Sequence, residues 1–202
     1  MEATENDQYF FNFSFFKIDP KWRWMADLAK EESAKEVENV IINSGIRFRS
    51  YSTLGLRDDA EFLFWFAAET VEEIQDVMSK LYLTVFGKYI IPSRVYLSCT
   101  RSSTYARKGT LPSFVLGNES QKYVVVYPFT KTREWYLLPQ EQRQKMMDQH
   151  INVSEKYPQV TLNTTYSFGI DDQDFMLAFE CDNLRDFQNL IMDLRQTPVS
   201  AY

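Results

Sequence analysis

Residues 121–150 read QKYVVVYPFTKTREWYLLPQEQRQKMMDQH, and they pass from strand-like to helical character. The run Tyr123–Tyr127 is short, apolar and rich in β-branched residues, which is typical of a buried strand. Pro128 is expected to end that strand. After a short polar connection, Pro139 stands at a position typical of the first turn of a helix, and the following residues predict a helix that includes His150.

His150 is the only histidine in the chain. It lies four residues after Met146, and Tyr157 continues the same helical face, so the imidazole shares that face with a thioether and an aromatic ring. A neutral imidazole in an apolar wall suits the axial ligand of a haem iron. It equally suits an ordinary buried histidine with one backbone partner, and the spacing alone favours this second interpretation.

The composition indicates a folded protein that does not bind nucleic acid. The chain has 202 residues, of which 45% are hydrophobic, enough for one large or two small domains. The formal net charge is −6 and no basic stripe is present, which argues against binding to phosphates. Two cysteines without metal-binding spacing, a polar N-terminus without a signal-peptide pattern and the lack of a membrane-length apolar segment predict a cytoplasmic protein without membrane contact.

The first half of the chain predicts alternating strands and helices. Gly45 is expected to end the first helix and Thr70 to cap the second. The Ser-, Gly- and Pro-rich residues 102–120 are expected to form a solvated linker. The predicted strands are residues 9–17, 46–54, 61–68 and 94–99, and the predicted helices run from Asp19-Pro20 to about Asn43 and from Thr70 to about Phe86.

The second half of the sequence repeats the first. A shift of 113 residues places Phe62 over Phe175, and a shift of 114 places Lys17 over Lys131. Each half therefore predicts a ferredoxin-like α+β repeat with an antiparallel sheet. We place the N-terminal repeat at residues 1–115, as a scaffold without a haem site. The C-terminal repeat, at residues 116–202, contains the histidine, and we expect it to lack a counterpart of the strand at 94–99.

The sequence resembles the chlorite dismutase and coproheme decarboxylase superfamily. The spacing Y-P-x-x-K-x-x-x-W-Y-x-L, followed by R, M and H, corresponds here to Tyr127, Pro128, Lys131, Trp135, Tyr136, Leu138, Arg143, Met146 and His150. Residues 160–172 resemble the next strand and turn of the family, and residues 195–201 resemble its R-x-x-x-V-S-A segment. The resemblance implies duplicated ferredoxin-like repeats that form an antiparallel β-barrel flanked by helices, in a homo-oligomer, specifically a pentamer.

The resemblance also implies a haem-type iron porphyrin, either iron-coproporphyrin or haem b, with His150 as the metal ligand. The implied activity is the peroxide-dependent decarboxylation of iron-coproporphyrin III to haem b. Tyr127 corresponds to the redox-active tyrosine, which takes hydrogen from a propionate, and Lys131 to the lysine beside it. The other residues that the resemblance assigns to cofactor binding are Trp135, Met146, Leu162, Arg195 and Ser200. For Trp135 a packing role over the sheet is an equal alternative.

Two departures from the family pattern limit the predicted chemistry. Leu162 stands where chlorite-degrading members carry an arginine over the distal face, and an apolar side chain cannot polarise chlorite. Residues 151–153 replace a glycine-containing run that is usual in decarboxylases. Two alternatives therefore remain open: a haem b protein that is peroxidase-like or chlorite dismutase-like, and a cofactor-free α+β oligomeric scaffold in which His150 belongs to the core.

Overall fold

The computed structural model describes residues 8–101, 105 and 111–202. These residues form two compact units that follow one another along the chain. The boundary between them lies between Cys99 and Thr100. Much of the predicted linker at 102–120 lies outside the described residues. Residues near its end pack into the second unit, where the Phe114 N–H donates to Asn163 Oδ1 at 3.2 Å and Val115 is fully buried. The sequence analysis had placed both residues in the first repeat.

The first unit has the element order and strand order of a ferredoxin-like fold. The elements are β1 (Phe10–Ile18), a 3-10 turn (Pro20–Trp24), α1 (Asp27–Ser44), β2 (Arg47–Ser52), β3 (Phe62–Ala68), α2 (Val71–Leu83), a 3-10 turn (Phe86–Lys88) and β4 (Ile90–Cys99). The sheet is antiparallel, with the order β2-β3-β1-β4. Phe16, Phe64 and Phe66 form the core of this unit with residues of α2.

The first helix begins later than the sequence predicts. Asp19 does act as a cap, because its Oδ1 accepts the Lys21 N–H at 2.9 Å, but the turn that it starts is a 3-10 turn. That turn ends at Met25, whose backbone is extended, and α1 begins only at Asp27. A cap signal fixes where a turn begins but not how far the helix continues. The predicted end is confirmed, since Gly45 has a left-handed backbone with φ of 70°.

The second unit repeats the α+β pattern with three strands among its described residues. The elements are β5 (Tyr123–Phe129), α3 (Arg133–Leu137), α4 (Gln140–Ser154), β6 (Thr161–Tyr166), β7 (Phe175–Cys181), α5 (Leu184–Leu194) and a 3-10 turn (Pro198–Ala201). The sheet is antiparallel in the order β6-β7-β5. After α5 the chain forms the 3-10 turn rather than a strand.

Pro128 does not end β5, contrary to the sequence prediction. The strand continues to Phe129, and Pro128 lies opposite Met176 in the register with β7. In this unit β7 is the only described neighbour of β5, and a strand at an edge tolerates a proline because the missing N–H costs no ladder bond on the free side. The connection after β5 also differs from the predicted loop, since it contains the short helix α3. Pro139 precedes the first turn of α4 as its cap residue instead of lying within that turn.

The two faces of the second sheet differ in character. Tyr127 packs with Phe179 against Leu190 and Leu194 of α5 on one face. On the opposite face Asn163 is buried, and its amide donates to the buried Glu180 at 2.9 Å. The candidate site therefore belongs to the helix-covered, aromatic face. In the part of the chain that the structure describes, no helix is long and apolar enough to cross a bilayer.

The cap of α2 provides a test of the fold. Thr70 Oγ1 accepts the Glu73 N–H at 3.3 Å, and Glu73 Oε2 accepts the Thr70 N–H at 3.0 Å, which together form a capping box. We expect Thr70→Ala to lower the free energy of unfolding by about 1 kcal/mol. Urea denaturation measures it. Ser79→Ala, on the exposed side of α2, is the control and should change it by less than about 0.5 kcal/mol; equal effects of the two variants would contradict the capping role.

Candidate functional site

Tyr127 presents a neutral phenol on the helix-covered face of the second sheet. Its ring stacks on Phe179 with centroids 6.0 Å apart, and the side chain is half-buried. Burial raises the pKa of Tyr127, and the positive charge of Arg195 opposes that rise in part. The phenol therefore keeps its hydrogen at neutral pH. A half-buried O–H with a nearby positive charge can give up and recover a hydrogen atom, whereas a phenolate could not donate one.

Lys131 is a half-buried cation held by aromatic rings and one carbonyl. Its ammonium lies 4.9 Å from the centroid of Trp135 and 5.2 Å from that of Phe129, and Nζ donates to the Val199 carbonyl at 3.0 Å. Burial lowers the pKa of Lys131 to about 8. None of the ion pairs among the described residues involves Lys131. A partly desolvated ammonium without a carboxylate partner is suited to bind an anionic group.

Asp174 holds the loop that carries Lys131. Its Oδ2 accepts the Lys131 backbone N–H at 3.1 Å and the Tyr136 hydroxyl at 2.6 Å. Burial and this hydrogen bond raise the pKa of Tyr136 well above its usual range. Trp135, next to Tyr136, is buried against Met146 and other apolar groups. Trp135 thus packs against α4 and the C-terminal turn rather than over the sheet, while contact of Trp135 or Met146 with a cofactor stays a prediction.

His150 lies on α4 as an uncharged imidazole. Its Nδ1 is 3.2 Å from Thr197 Oγ1, and the side chain is half-buried. Burial lowers the pKa of His150, and the positive charge of Lys131 lowers it further. Nε2 has no hydrogen-bond partner among the residues that the structure describes. The ring therefore offers one nitrogen for coordination while the other is occupied.

The other three residues that the sequence assigns to cofactor binding differ in their surroundings. Arg195 caps the end of α5 and is exposed, and its charge acts on Tyr127. Leu162 is opposite Phe179 in the register of β6 and β7, so it shares the face of Tyr127, and 47% of it is exposed. The Ser200 hydroxyl donates to the Leu194 carbonyl at 2.6 Å. A contact of Ser200 with a carboxylate would require that bond to break, and its assigned role stays a prediction.

Thr197 and Asp174 are site residues that the sequence analysis did not identify. Thr197 is 47 positions from His150, and Asp174 is 43 positions from Lys131. Thr197 falls on an unspecified position of the R-x-x-x-V-S-A segment, and Asp174 lies just beyond the G-x-D-D run. Neither a local pattern nor the resemblance marks them, because their partners are brought near only by the fold.

The donor set fits an iron porphyrin. The described residues contain no group of three or more His, Cys, Asp and Glu side chains that could hold a metal ion. A metal bound at His150 would therefore need most of its ligands from outside the chain, as the four nitrogens of a porphyrin provide. Lys131 and Arg195 would supply positive charge for propionates, and neither takes part in an ion pair among the described residues.

A separate depression of about 610 Å³ runs along the outer, polar side of α4. Its lining includes Glu141, Lys145 and Asp148 but none of the predicted site residues. It is open to solvent and all of its lining residues are polar or charged, whereas a porphyrin site needs enclosing walls of apolar side chains. We therefore assign the candidate site to the side of α4 that carries Met146 and His150.

Comparison with known proteins identifies the family. The sequence model described as Chlorite dismutase matches residues 29–202. The chain belongs to the chlorite dismutase family. This confirms the resemblance that the motif spacing indicated.

The similar proteins include both activities named in that superfamily. The coproheme decarboxylase of Mycolicibacterium smegmatis is 36% identical over 148 residues, which cover 73% of this chain and 64% of that protein, so the match spans just under two thirds of that relative. The solved chlorite dismutase of Candidatus Nitrospira defluvii in complex with imidazole has a TM-score of 0.86 at 27% identity, over 96% of this chain and 84% of that one. A double mutant of the same enzyme has a TM-score of 0.85 at 28% identity, over 96% and 85%.

The buried position of Lys131 predicts a specific dependence of stability on pH. Its pKa is about 8 in the folded protein and 10.5 as an ordinary lysine. Between these values the unfolded chain binds more protons at this site, so its contribution to the free energy of unfolding rises with pH. We therefore expect the ligand-free protein to gain stability relative to Lys131→Met as the pH rises through this window.

Urea denaturation of both proteins at a series of pH values measures this difference. Lys145→Met, which removes an exposed lysine of α4, is the matched control for loss of one charge. A stability difference for Lys131→Met that falls with pH, or that follows the Lys145→Met control, would show that Lys131 is not held in a desolvated position.

Proposed function

We propose that this protein is a coproheme decarboxylase that uses hydrogen peroxide to convert iron-coproporphyrin III to haem b. The observation that carries the proposal is the arrangement, in one unit, of a neutral imidazole with a free Nε2, a neutral phenol at Tyr127 and an unpaired cation at Lys131. The similarity to a coproheme decarboxylase supports it. When bound, the iron porphyrin supplies the chemistry by which peroxide becomes an oxidant.

The overall reaction defines what the protein must provide. For each propionate, one hydrogen peroxide is reduced to two waters while the side chain loses its carboxylate as carbon dioxide and one hydrogen from the β-carbon, which leaves a vinyl group. The side chain is oxidised by two electrons, and one proton is consumed. The chain must therefore hold the propionate, remove a hydrogen from carbon and supply a proton.

Tyr127 is the residue that we assign to hydrogen removal. Its phenol is neutral and stacked on Phe179, which restricts the direction of the hydroxyl. After losing its own hydrogen, the oxygen would take one from the β-carbon of the propionate and return to the phenol. The nearby charge of Arg195 favours a propionate carboxylate on the same side.

Lys131 is the residue that we assign to the departing carboxylate. The ammonium would pair with the propionate, and that pairing ends when the carboxylate leaves as a neutral molecule. The same group can give a proton near neutral pH, because burial lowers its pKa to about 8. His150 would bind the metal, with Trp135 and Met146 forming part of the wall behind it.

We further propose that chlorite is not a substrate. Leu162 has no charge or hydrogen-bond donor, and it lies on the same sheet face as Tyr127. The main alternative function, which the similarity to solved chlorite dismutases favours, is that of a protein that keeps a finished haem b.

We also propose that the protein is cytoplasmic and forms a homo-oligomer, specifically a pentamer. Only the family resemblance supports this proposal. Light scattering would measure the mass of the oligomer.

The decarboxylation proposal is tested by adding peroxide stepwise to the protein with ferric coproporphyrin III and measuring the porphyrin mass. We expect the successive loss of two propionate carboxyl groups. Tyr127→Phe keeps the ring that stacks on Phe179 and removes only the hydroxyl. It should bind the porphyrin as tightly and leave its mass unchanged. If the unmodified protein leaves the porphyrin mass unchanged, the decarboxylation proposal is wrong and the haem b alternative is favoured. Full turnover by Tyr127→Phe would contradict the role assigned to Tyr127.

Axial coordination is tested separately with His150→Ala. Removal of the only imidazole should abolish the shift of the porphyrin Soret band that accompanies ligation, and added imidazole should restore it in part. Absorption spectra during titration with ferric coproporphyrin III measure both effects. The same spectrum and affinity in this variant would mean that His150 is a core residue, as the scaffold alternative requires.

A further inference from the structure

The carbonyl of Leu194, at the end of α5, collects three hydrogen-bond donors. Thr197 Oγ1 and Ser200 Oγ each lie 2.6 Å from it, and the Thr197 N–H lies 3.0 Å from it. A carbonyl oxygen has no hydrogen, and two oxygen atoms this close are attractive only with a hydrogen between them. Both hydroxyl hydrogens are therefore directed at the Leu194 carbonyl, in addition to the Thr197 N–H that this helix-end group already accepts.

Thr197 Oγ1 also lies 3.3 Å from Ser200 Oγ, but both hydroxyl hydrogens are already used at the shorter 2.6 Å contacts with Leu194, so Thr197 Oγ1 offers only lone pairs to His150. The Thr197 side chain is 9% exposed, and its Oγ1 is 3.2 Å from His150 Nδ1. Because the hydroxyl hydrogen is used, the hydrogen of this contact must come from the imidazole. We infer that Thr197 is a positioning residue that holds His150 in the tautomer with hydrogen on Nδ1, and that it thereby leaves the Nε2 lone pair available for a metal.

The contact is a short chain of hydrogen bonds rather than an isolated pair. The Leu194 carbonyl polarises the Thr197 hydroxyl, and a hydroxyl that already donates is a better acceptor. In many metal sites a carboxylate plays this part for the ligating histidine. Here no carboxylate bonds to His150 among the described residues, so an uncharged hydroxyl sets the ring orientation. Such an acceptor fixes the tautomer with less negative charge behind the metal than a carboxylate would place there.

The inference extends the proposed function, since it assigns the ligand tautomer, but its first test does not depend on any porphyrin. His150 is the only histidine, so its two ring nitrogens give the only imidazole signals in a nitrogen-15 spectrum. We would record two-bond proton–nitrogen correlations of the metal-free protein at neutral pH. The expected pattern is a protonated nitrogen at Nδ1 and an unprotonated one at Nε2. A protonated Nε2 in the unmodified protein would overturn the inference.

Three variants separate the hydroxyl from the fold around it. Thr197→Val removes the acceptor with little change in shape, and the imidazole should lose the fixed Nδ1–H pattern. Thr197→Ser keeps a hydroxyl and should restore it. Ser200→Ala removes the other hydroxyl on the same carbonyl and should leave the tautomer unchanged. A Thr197→Val protein that retains the fixed Nδ1–H pattern would overturn the inference, as would a Ser200→Ala protein that loses it.

The binding test uses ferric coproporphyrin III and these same proteins. Thr197→Val should bind it about 10- to 100-fold more weakly, and Thr197→Ser close to normally. Equal affinity in Thr197→Val would overturn the positioning role. Because the tautomer is read without porphyrin and the affinity without peroxide, a protein that binds but does not decarboxylate would contradict only the proposed function.

Discussion

The candidate site depends on two backbone carbonyls, one at the end of α5 and one in the turn that follows it. The Leu194 carbonyl orients the hydroxyl that contacts His150, and the Val199 carbonyl accepts the ammonium of Lys131. The two side chains come from α4 and from the loop after β5, which are not neighbours in the sequence. Each of these carbonyls also accepts a backbone N–H of the turn, that of Thr197 for Leu194 and that of Tyr202 for Val199, so the turn itself fixes where they point. A change in this turn would therefore displace both side chains together.

Burial without charge pairing explains the electrostatics of the same site. Desolvation lowers the pKa of Lys131 and His150 and raises that of Tyr127, so each group is biased towards its neutral form. Lys131 is thus held against aromatic rings without a carboxylate partner among the described residues, whereas Arg195 is exposed at the end of α5. A partly desolvated ammonium costs stability by itself, and an anionic ligand offsets the cost. This is the physical reason for expecting the propionates of a porphyrin at this position.

The elements that could be predicted from the sequence are those that local contacts define. Thr70 and Gly45 mark helix ends through bonds and dihedral angles within a few residues, and both predictions hold. The signals at Asp19 and Pro128 were misread, because a cap can begin a 3-10 turn and an edge strand can contain a proline. The motif spacing identified the family and proposed the site residues. It could not identify Thr197, whose contact with His150 exists only after α4 and α5 pack.

The two repeats of the chain differ in the side chains that they place at equivalent positions. Both units have the antiparallel α+β arrangement, but the first has Phe13 where the alignment of the repeats places Tyr127, and it contains no histidine. The shared fold is therefore compatible with one unit serving as scaffold, and we keep that assignment as a proposal. Side chains on a common backbone, rather than the backbone itself, distinguish the candidate site.

The most direct test of the account is a crystal structure of the protein with ferric coproporphyrin III. We expect an iron bonded to His150 Nε2, the Thr197 hydroxyl still at Nδ1, and a propionate carboxylate at the Lys131 ammonium. An iron bound elsewhere on the chain, or a porphyrin whose propionates point away from both Lys131 and Arg195, would contradict it.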